Sequence, residues 1–141
     1  MYPQGVVAGR DGEFSCPNVS GRNLCLEGAA EKKALFLQRT LRSGQRVRYD
    51  GSIVILGDVN PGAEVVASGD IIILGALRGV AHAGATGDPT ALVAALQLHA
   101  TQLRIASCIG RRPDGDKASG SPEIARVQDG IVIVNPYLLG A

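Results

Sequence analysis

Two histidines and three cysteines are the side chains of this sequence whose types suit catalysis or metal binding. Neither His82 nor His99 has a second histidine or a cysteine at ligand spacing, so no metal site is predicted. Cys16, Cys25 and Cys108 are odd in number, which favours a reducing compartment over a disulfide-stapled fold. No Gly-x-Ser-x-Gly elbow or phosphate-binding loop is present. We therefore predict no catalytic residue, no metal and no cofactor.

The composition argues against several classes of partner. The 141 residues carry a formal net charge of +1, so no broad electrostatic footprint for nucleic acid or membrane is expected. Aromatic residues make up 4% of the chain and Trp is absent, which disfavours a base-stacking surface. No apolar run approaches the ~20 residues that a membrane span needs, and the N-terminus lacks the apolar region of a signal peptide. We expect a cytoplasmic protein that does not insert into the membrane.

A six-residue apolar period runs through residues 41–84 and must position any functional side chain there. Every sixth residue is apolar: Leu41, Val47, Ile53, Val59, Val65, Ile71, Leu77 and Ala83. A small residue stands two positions before each of the last six: Gly51, Gly57, Ala63, Gly69, Gly75 and Ala81. The pattern also repeats every 18 residues, since Gly-Ser-Ile-Val-Ile-Leu-Gly at 51–57 matches Gly-Asp-Ile-Ile-Ile-Leu-Gly at 69–75. Such a fixed period is typical of stacked structural units.

This period predicts an all-β fold, a β-helix or triangular β-solenoid. An α-helix needs apolar residues at 3.6-residue spacing and does not fit. Three short strands and three corners close one coil in about 18 residues, with coils stacked roughly 4.8 Å apart. The periodic residues would point inward, and the glycines would make the corners. The alternative is an ordinary β-sandwich of short hairpins, with turns at Asp50-Gly51 and Asn60-Pro61-Gly62.

The remaining segments lack the period. Residues 1–34 are rich in Gly, Asn, Ser and Pro, and we expect a flexible leader before a domain at 35–141. Residues 86–98 favour a strand, although Asp88-Pro89 could begin a helix. We predict a further strand at 102–105 and a loop at 111–122. A closing hairpin, 124–127 with 130–134, is predicted around Asp129-Gly130.

An apolar stripe is predicted on the outside of the coil. Alternate residues of a strand face opposite ways, so Val54 points out if Ile53 and Ile55 point in. The same argument applies to the next coil and to the last strand. The predicted stripe contains Val54, Leu56, Ile72, Leu74, Val132 and Val134. An exposed apolar patch usually marks an interface, and we expect this one to pair with its own copy across a two-fold axis. The alternative is that the C-terminal segment of the same chain covers the stripe.

One enzymatic alternative shares the six-residue spacing. Hexapeptide-repeat acyltransferases build a β-helix with this period and often use a catalytic histidine, for which His82 is the candidate here. Their repeats usually place a small or acidic residue just after the aliphatic one. This chain has Val54, Asn60, Val66, Ile72 and Arg78 at those positions, which disfavours this function.

The motifs along residues 35–137 resemble one family in particular. They are Leu-Arg-Ser-Gly-Gln at 41–45, Gly-Asp-Val-Asn-Pro-Gly-Ala-Glu at 57–64, Leu-Arg-Gly-Val-Ala-His-Ala-Gly-Ala at 77–85 and Thr-Gln-Leu-Arg-Ile-Ala at 101–106. In this order they are similar to the C-terminal domain of the bacterial septum-site determining protein MinC. The resemblance implies a right-handed β-helix that forms a homodimer and binds the membrane-recruited ATPase MinD and the division protein FtsZ. It implies an inhibitor of misplaced septum assembly that acts by binding and is held at the inner membrane face through MinD.

The resemblance also implies a MinD-binding segment. It comprises Arg42, Ser43, Gly44 and Gln45, with Gly62 in the same sensitive region. The alternative is that Gly44 and Gly62 are only turn residues. Some relatives contact the FtsZ tail through a basic residue at the position of Val80, so that contact is not carried over. The residues before 35 do not resemble the family's separate N-terminal domain, so dimerisation and MinD binding are implied more directly than independent inhibition of FtsZ.

Overall fold

A computed structural model describes residues 33–110 and 121–137, together with the backbone of two short strands near the N-terminus. The chain divides into two units, Met1–Glu31 and Lys32–Ala141. In the first unit, β1 (Val7–Ala8) pairs antiparallel with β2 (Phe14–Ser15). Apart from residues 33 and 34, the rest of the predicted leader lies outside the described residues, as do residues 111–120 of the predicted loop.

The second unit is built from two sheets whose strands alternate along the chain. Sheet 1 contains β3 (Ala34–Leu37), β5 (Ser52–Ile55), β7 (Ile71–Leu77), β9 (Leu92–Leu98), β12 (Glu123–Gln128) and β13 (Ile131–Pro136), in that spatial order. Sheet 2 contains β4 (Arg46–Tyr49), β6 (Glu64–Ala67), β8 (Val80–Ala83), β10 (Gln102–Ile105) and β11 (Cys108–Gly110), also in order. A third, narrow side consists of the parallel bridges that join Leu41, Val59 and Leu77.

The register confirms the predicted solenoid. Ile53 pairs in parallel with Leu35 on one side and with Ile71 on the other. Each partner lies 18 residues away, which is the predicted length of one coil. The result is an all-β solenoid of about four turns with about 18 residues per turn. The sandwich alternative is wrong, because successive strands of each sheet are parallel from β3 to β9, whereas short hairpins would pair antiparallel. No helix among the described residues is long and apolar enough to cross a membrane.

The interior of the tube holds the periodic residues. Val47 is 8% exposed, and the other seven residues of the six-residue period have no exposed surface. All of these seven except Ala83 are large aliphatic side chains. Buried side chains alternate with less buried, outward ones in strands such as Ser52–Ile55, Val80–Ala83 and Gln102–Ile105. The core is a stack of aliphatic layers that hydrophobic burial stabilises.

Polar side chains link the corners of successive coils. The carboxylate of Asp58 accepts a hydrogen bond from the backbone N–H of Ala76 at 2.8 Å. At another corner, Asp70 donates its N–H to the hydroxyl of Ser52 at 3.1 Å, and its own carboxylate accepts the N–H of Leu92 at 3.0 Å. These contacts satisfy backbone groups that the corners leave outside the strand ladders.

The period lengthens at the last full coil. Ile71 pairs with Val93 instead of with the residue 18 positions further on, because the corner after Ala83 contains an additional loop. In this loop Asp88 accepts the backbone N–H of Thr90 at 2.9 Å. The strand predicted within 86–98 is confirmed for Leu92–Leu98, and the residues before it form the loop.

The predicted closing hairpin is confirmed. β12 and β13 pair antiparallel around Asp129 and Gly130, whose φ angles of 54° and 77° suit a two-residue hairpin turn. This hairpin continues sheet 1 beyond β9. Its strand β13 packs beside β11 of sheet 2, because the side chain of Val132 lies against Gly110.

Candidate functional site

The segment 42–45 forms one corner of the first coil and is closed by its own hydrogen bonds. The N–H of Gln45 donates to the carbonyl of Arg42 at 2.9 Å, and the Gln45 side-chain oxygen accepts the N–H of Arg42 at 2.7 Å. All four residues are exposed. The turn is therefore pre-organised, with the side chains of Arg42 and Ser43 available to a partner.

The corner of the next coil, residues 60–63, stacks directly on this turn. The N–H of Gly44 donates to the carbonyl of Gly62 at 3.0 Å, and the N–H of Glu64 donates to the carbonyl of Gln45 at 3.0 Å. We term residues 42–45 and 60–63 together the stacked corner. The structure thus brings together the five residues that the family resemblance implied: Arg42, Ser43, Gly44, Gln45 and Gly62.

Both glycines of the stacked corner have backbone angles that favour glycine, but their surroundings differ. The φ angles are +87° at Gly44 and +89° at Gly62. A Cβ added at Gly44 would meet nothing within 4 Å, whereas one added at Gly62 would collide with the hydroxyl of Ser43. Gly62 is therefore needed both for the turn and for the close approach of Ser43. At Gly44 the backbone angle alone requires glycine.

Charge beside the stacked corner is paired across the coils. Arg46 Nε lies 3.1 Å from a carboxylate oxygen of Glu64, and the Arg46 side chain remains 78% exposed. An exposed pair of this kind contributes little to stability. The Arg46–Glu64 pair occupies the nearby carboxylate. Arg42, the basic residue of the stacked corner, has no carboxylate partner among the described residues.

The outward face of sheet 1 carries the apolar stripe on the first two predicted coils. Ile53, Ile55, Ile71 and Ile73 have no exposed surface, and Val54 and Ile72 between them are half-buried on the outside. Leu56 and Leu74 are 43% and 41% exposed. The predicted alternation is confirmed for these four outward residues.

The last strand of sheet 1 does not extend the stripe as predicted. Val134 pairs with Ala125, which is fully buried, and directly paired residues of antiparallel strands face the same side. Val132 and Val134 pack against the core. Their predicted outward placement is wrong because the register pairs Val134 with Ala125 and Val132 with Val127, which face the core. The alternating residues Ile131 and Ile133 face outward instead.

The outward face contains apolar residues that the sequence reasoning missed. Leu96 follows Ala95, which pairs with Ile73, so it continues the column of Leu56 and Leu74 and is 44% exposed. Beside this column lies a groove of about 430 Å³, lined mainly by Ile72, Leu74, Ala94, Leu96, Ile124 and Tyr137. The longer corner before β9 breaks the period, so only the register could align Leu96 with the earlier leucines.

The histidine considered for catalysis has a structural contact. His82 lies on β8, and its Nε2 is 3.1 Å from the carbonyl oxygen of Ala106. Its strand neighbours in register are Val66 and Arg104, neither of which is a nucleophile or a general base. Within the described residues, no group of three or more His, Cys, Asp or Glu side chains could hold a metal ion.

Comparison with known proteins shows one consistent family. The model of the family described as septum formation inhibitor MinC, C-terminal domain, matches residues 35–137. The probable septum site-determining protein MinC of Symbiobacterium thermophilum is 59% identical over 100 residues, which cover 71% of this chain and 44% of that protein. The corresponding protein of Heliobacterium modesticaldum is 56% identical over 116 residues, 82% of this chain and 40% of that protein. The chain thus spans about half the length of the curated relatives it matches, or somewhat less.

A solved structure has the same fold. A chain of the MinC:MinD cell division protein complex of Aquifex aeolicus aligns with a TM-score of 0.71 and 42% sequence identity, covering 77% of this chain and 89% of that chain. The resemblance that the sequence motifs indicated is confirmed, because the family match spans the whole solenoid. The chain belongs to the MinC family and contains its C-terminal domain.

Proposed function

We propose that this chain is the docking and dimerisation module of a cell-division inhibitor. It binds MinD, forms a homodimer and helps to prevent assembly of the FtsZ ring at wrong sites. It acts by binding, without a reaction or cofactor of its own, in the cytoplasm at the inner membrane face to which MinD recruits it. The observation that carries this proposal is the stacked corner, an exposed and pre-organised turn, in a chain 42% identical to a chain of a MinC:MinD complex.

The stacked corner suits a protein partner for physical reasons. Its backbone is fixed by hydrogen bonds within the turn and to the next coil, so little conformational freedom is lost on binding. Arg42 offers a planar guanidinium that can donate two parallel hydrogen bonds to a carboxylate. Gly44 has open space around its Cα, which allows a partner backbone to approach closely.

The outward face of sheet 1 suits the homodimer. Three leucines, Leu56, Leu74 and Leu96, form a column that is between 41% and 44% exposed, next to an apolar groove. A contiguous apolar surface of this kind usually marks an interface. A two-fold axis through this face would let the column of one copy cover the groove of the other. Val132 and Val134 are not part of this proposal, since they pack against the core.

Binding to FtsZ is proposed for the chain as a whole and is assigned to no residue. The position that is basic in some relatives is Val80 here, a half-buried side chain on β8. The chain also covers only 40% to 44% of the length of the two relatives described above. Inhibition of FtsZ assembly is therefore best tested with MinD present, after binding to MinD has been measured.

A pull-down of the full chain on immobilised MinD with ATP tests the proposal. The wild-type chain should be retained, and Arg42→Ala should lower retention by about tenfold if a charge-assisted hydrogen bond is lost. Arg48→Ala is the matched control, because Arg48 is also an exposed arginine of the first coil but lies outside the stacked corner. Failure of the wild-type chain to bind, or equal losses in the two variants, would contradict the proposed docking site.

A further inference from the structure

The third coil, which contains β7 and β8, has a shorter corner than the two coils that form the stacked corner. The first two coils have four-residue turns here, residues 42–45 and 60–63. In the third coil, β7 ends at Leu77 and β8 begins at Val80, so Arg78 and Gly79 alone make the corner. The arginine therefore emerges at a step beside the stacked corner.

The backbone at this step is fixed against both neighbouring coils. The N–H of Arg78 donates to the carbonyl of Val59 at 2.8 Å, and the carbonyl of Arg78 accepts the hydroxyl of Thr101 at 2.8 Å. A Cβ added at Gly79 would collide with two carbonyl oxygens of the turn 60–63. The shorter corner is therefore packed directly against the stacked corner.

Arg42 and Arg78 project from the same side of the solenoid. Each follows a fully buried residue of the narrow side, Leu41 or Leu77, so both face outward. Two strand spacings of roughly 4.8 Å place their Cα atoms about 10 Å apart. Asn60, at the same position in the second coil, lies between them and carries no charge. We term Arg42, Asn60 and Arg78 the arginine column.

The described residues do not neutralise the two charges of the arginine column. Arg42 and Arg78 are exposed, and neither has a carboxylate partner among residues 33–110 and 121–137. Glu64, which follows the turn 60–63, pairs with Arg46 at 3.1 Å. A planar guanidinium binds a carboxylate through two parallel hydrogen bonds. The column therefore favours a partner surface that presents two carboxylates about 10 Å apart.

We propose that Arg78 is a second binding residue of the MinD docking site, and that the arginine column binds a pair of carboxylates on MinD. This inference rests on the proposed function, because it extends the stacked corner by one coil. A single exposed arginine would accept a carboxylate in many orientations. Two arginines on a fixed backbone select a surface whose acidic groups match their spacing, so Arg78 contributes specificity as well as affinity.

Equilibrium binding of the full chain to immobilised MinD with ATP tests this inference. Arg78→Gln should raise the Kd about tenfold, because a charge-assisted hydrogen bond is lost. Arg78→Glu should raise it about 100-fold, because a carboxylate then faces the carboxylate of the partner. The unfolding midpoints of both variants should stay close to that of the wild-type chain, since the side chain is exposed.

Arg48→Gln and Arg48→Glu are the matched controls, because Arg48 is an exposed arginine that lies on sheet 2 and not on the narrow side. They should raise the Kd by less than about threefold, since distant exposed charges are screened. If Arg42→Gln weakened binding but Arg78→Gln matched Arg48→Gln, the proposed function would stand and the arginine column would be wrong. Equal losses for Arg78→Gln and Arg78→Glu would overturn the acidic partner surface. Failure of the wild-type chain to bind MinD would overturn both proposals.

Discussion

The backbone N–H of Gly44 donates a hydrogen bond to the carbonyl of Gly62 at 3.0 Å, which places one corner glycine directly over the other. Both residues have positive φ. A Cβ added at Gly62 would collide with the side chain of Ser43, whereas a Cβ added at Gly44 would meet no atom within 4 Å. The same two glycines therefore have different requirements, although the sequence presents them as equivalent turn residues one period apart.

Alanine substitutions should separate these two requirements. Gly44→Ala should cost about 1 kcal/mol of unfolding free energy, since an L-residue at positive φ is strained but finds open space. Gly62→Ala should cost more, because Ser43 must also move. Thermal unfolding of both variants measures the difference. A larger loss for Gly44→Ala would show that the stacking described here does not govern stability.

Charge placed on the outward face of sheet 1 should prevent self-association. Ile72→Asp puts a carboxylate beside the apolar groove, where dimerisation would bury it without a partner. Light scattering should show a dimer for the wild-type chain and a monomer for this variant. Val80→Asp, on the strand β8 of sheet 2, is the control and should remain dimeric. An unchanged mass for Ile72→Asp would remove this face as the interface.

The corner carboxylate of Asp58 should stabilise the fold as a hydrogen-bond acceptor. Ala76, whose N–H it accepts at 2.8 Å, is 5% exposed, so loss of the acceptor leaves a buried donor unsatisfied. Asp58→Ala should cost about 1 to 3 kcal/mol of unfolding free energy. Asp58→Asn keeps an acceptor oxygen and should cost less. Urea unfolding of the two variants tests this, and equal midpoints would mean that the hydrogen bond does not contribute.

The aliphatic layers should account for much of the stability. Ile73 has no exposed surface, and Ile73→Ala should cost about 2 to 5 kcal/mol because it removes buried methyl groups and leaves a cavity. Ile109 is 56% exposed, and Ile109→Ala should change the unfolding free energy by no more than about 0.5 kcal/mol. Chemical unfolding should rank the two in this order. Comparable losses would indicate that Ile109 is buried in solution, for example by a partner.

The six-residue period, together with strand alternation, predicted most of the residues that fill the tube between 41 and 84. The prediction succeeded because each coil repeats the same three strands and corners, so local pattern and long-range pairing carry the same information. Leu41 pairs with Val59, and Val59 with Leu77, at equal steps along the chain. The period does not predict the pairing of the next coil, because a longer corner changes the spacing between paired residues. Ile71 pairs with Val93 and not with the residue 18 positions further on.

The orientation of the last strand is a feature that the sequence pattern could not predict. Val132 and Val134 alternate with Ile131 and Ile133, and all four are equally apolar, so the residues do not indicate which pair points inward. The pairing of Val134 with buried Ala125 decides it. A shift of one residue exchanges the two faces of a strand, and only the neighbouring strand can specify the register.

The sequence by itself determined the solenoid, its buried layers, the closing hairpin and the family, because each depends on residues at fixed spacing. Only the tertiary structure decided which outward residues meet. It aligned Leu96 with Leu56 and Leu74 across an irregular corner, and it placed Arg42 and Arg78 in one column of a chain whose net charge is +1. The physical reason is that each surface is formed by residues from several stacked coils. Its charge and apolarity therefore depend on strand register and on position in space, which the overall composition does not record.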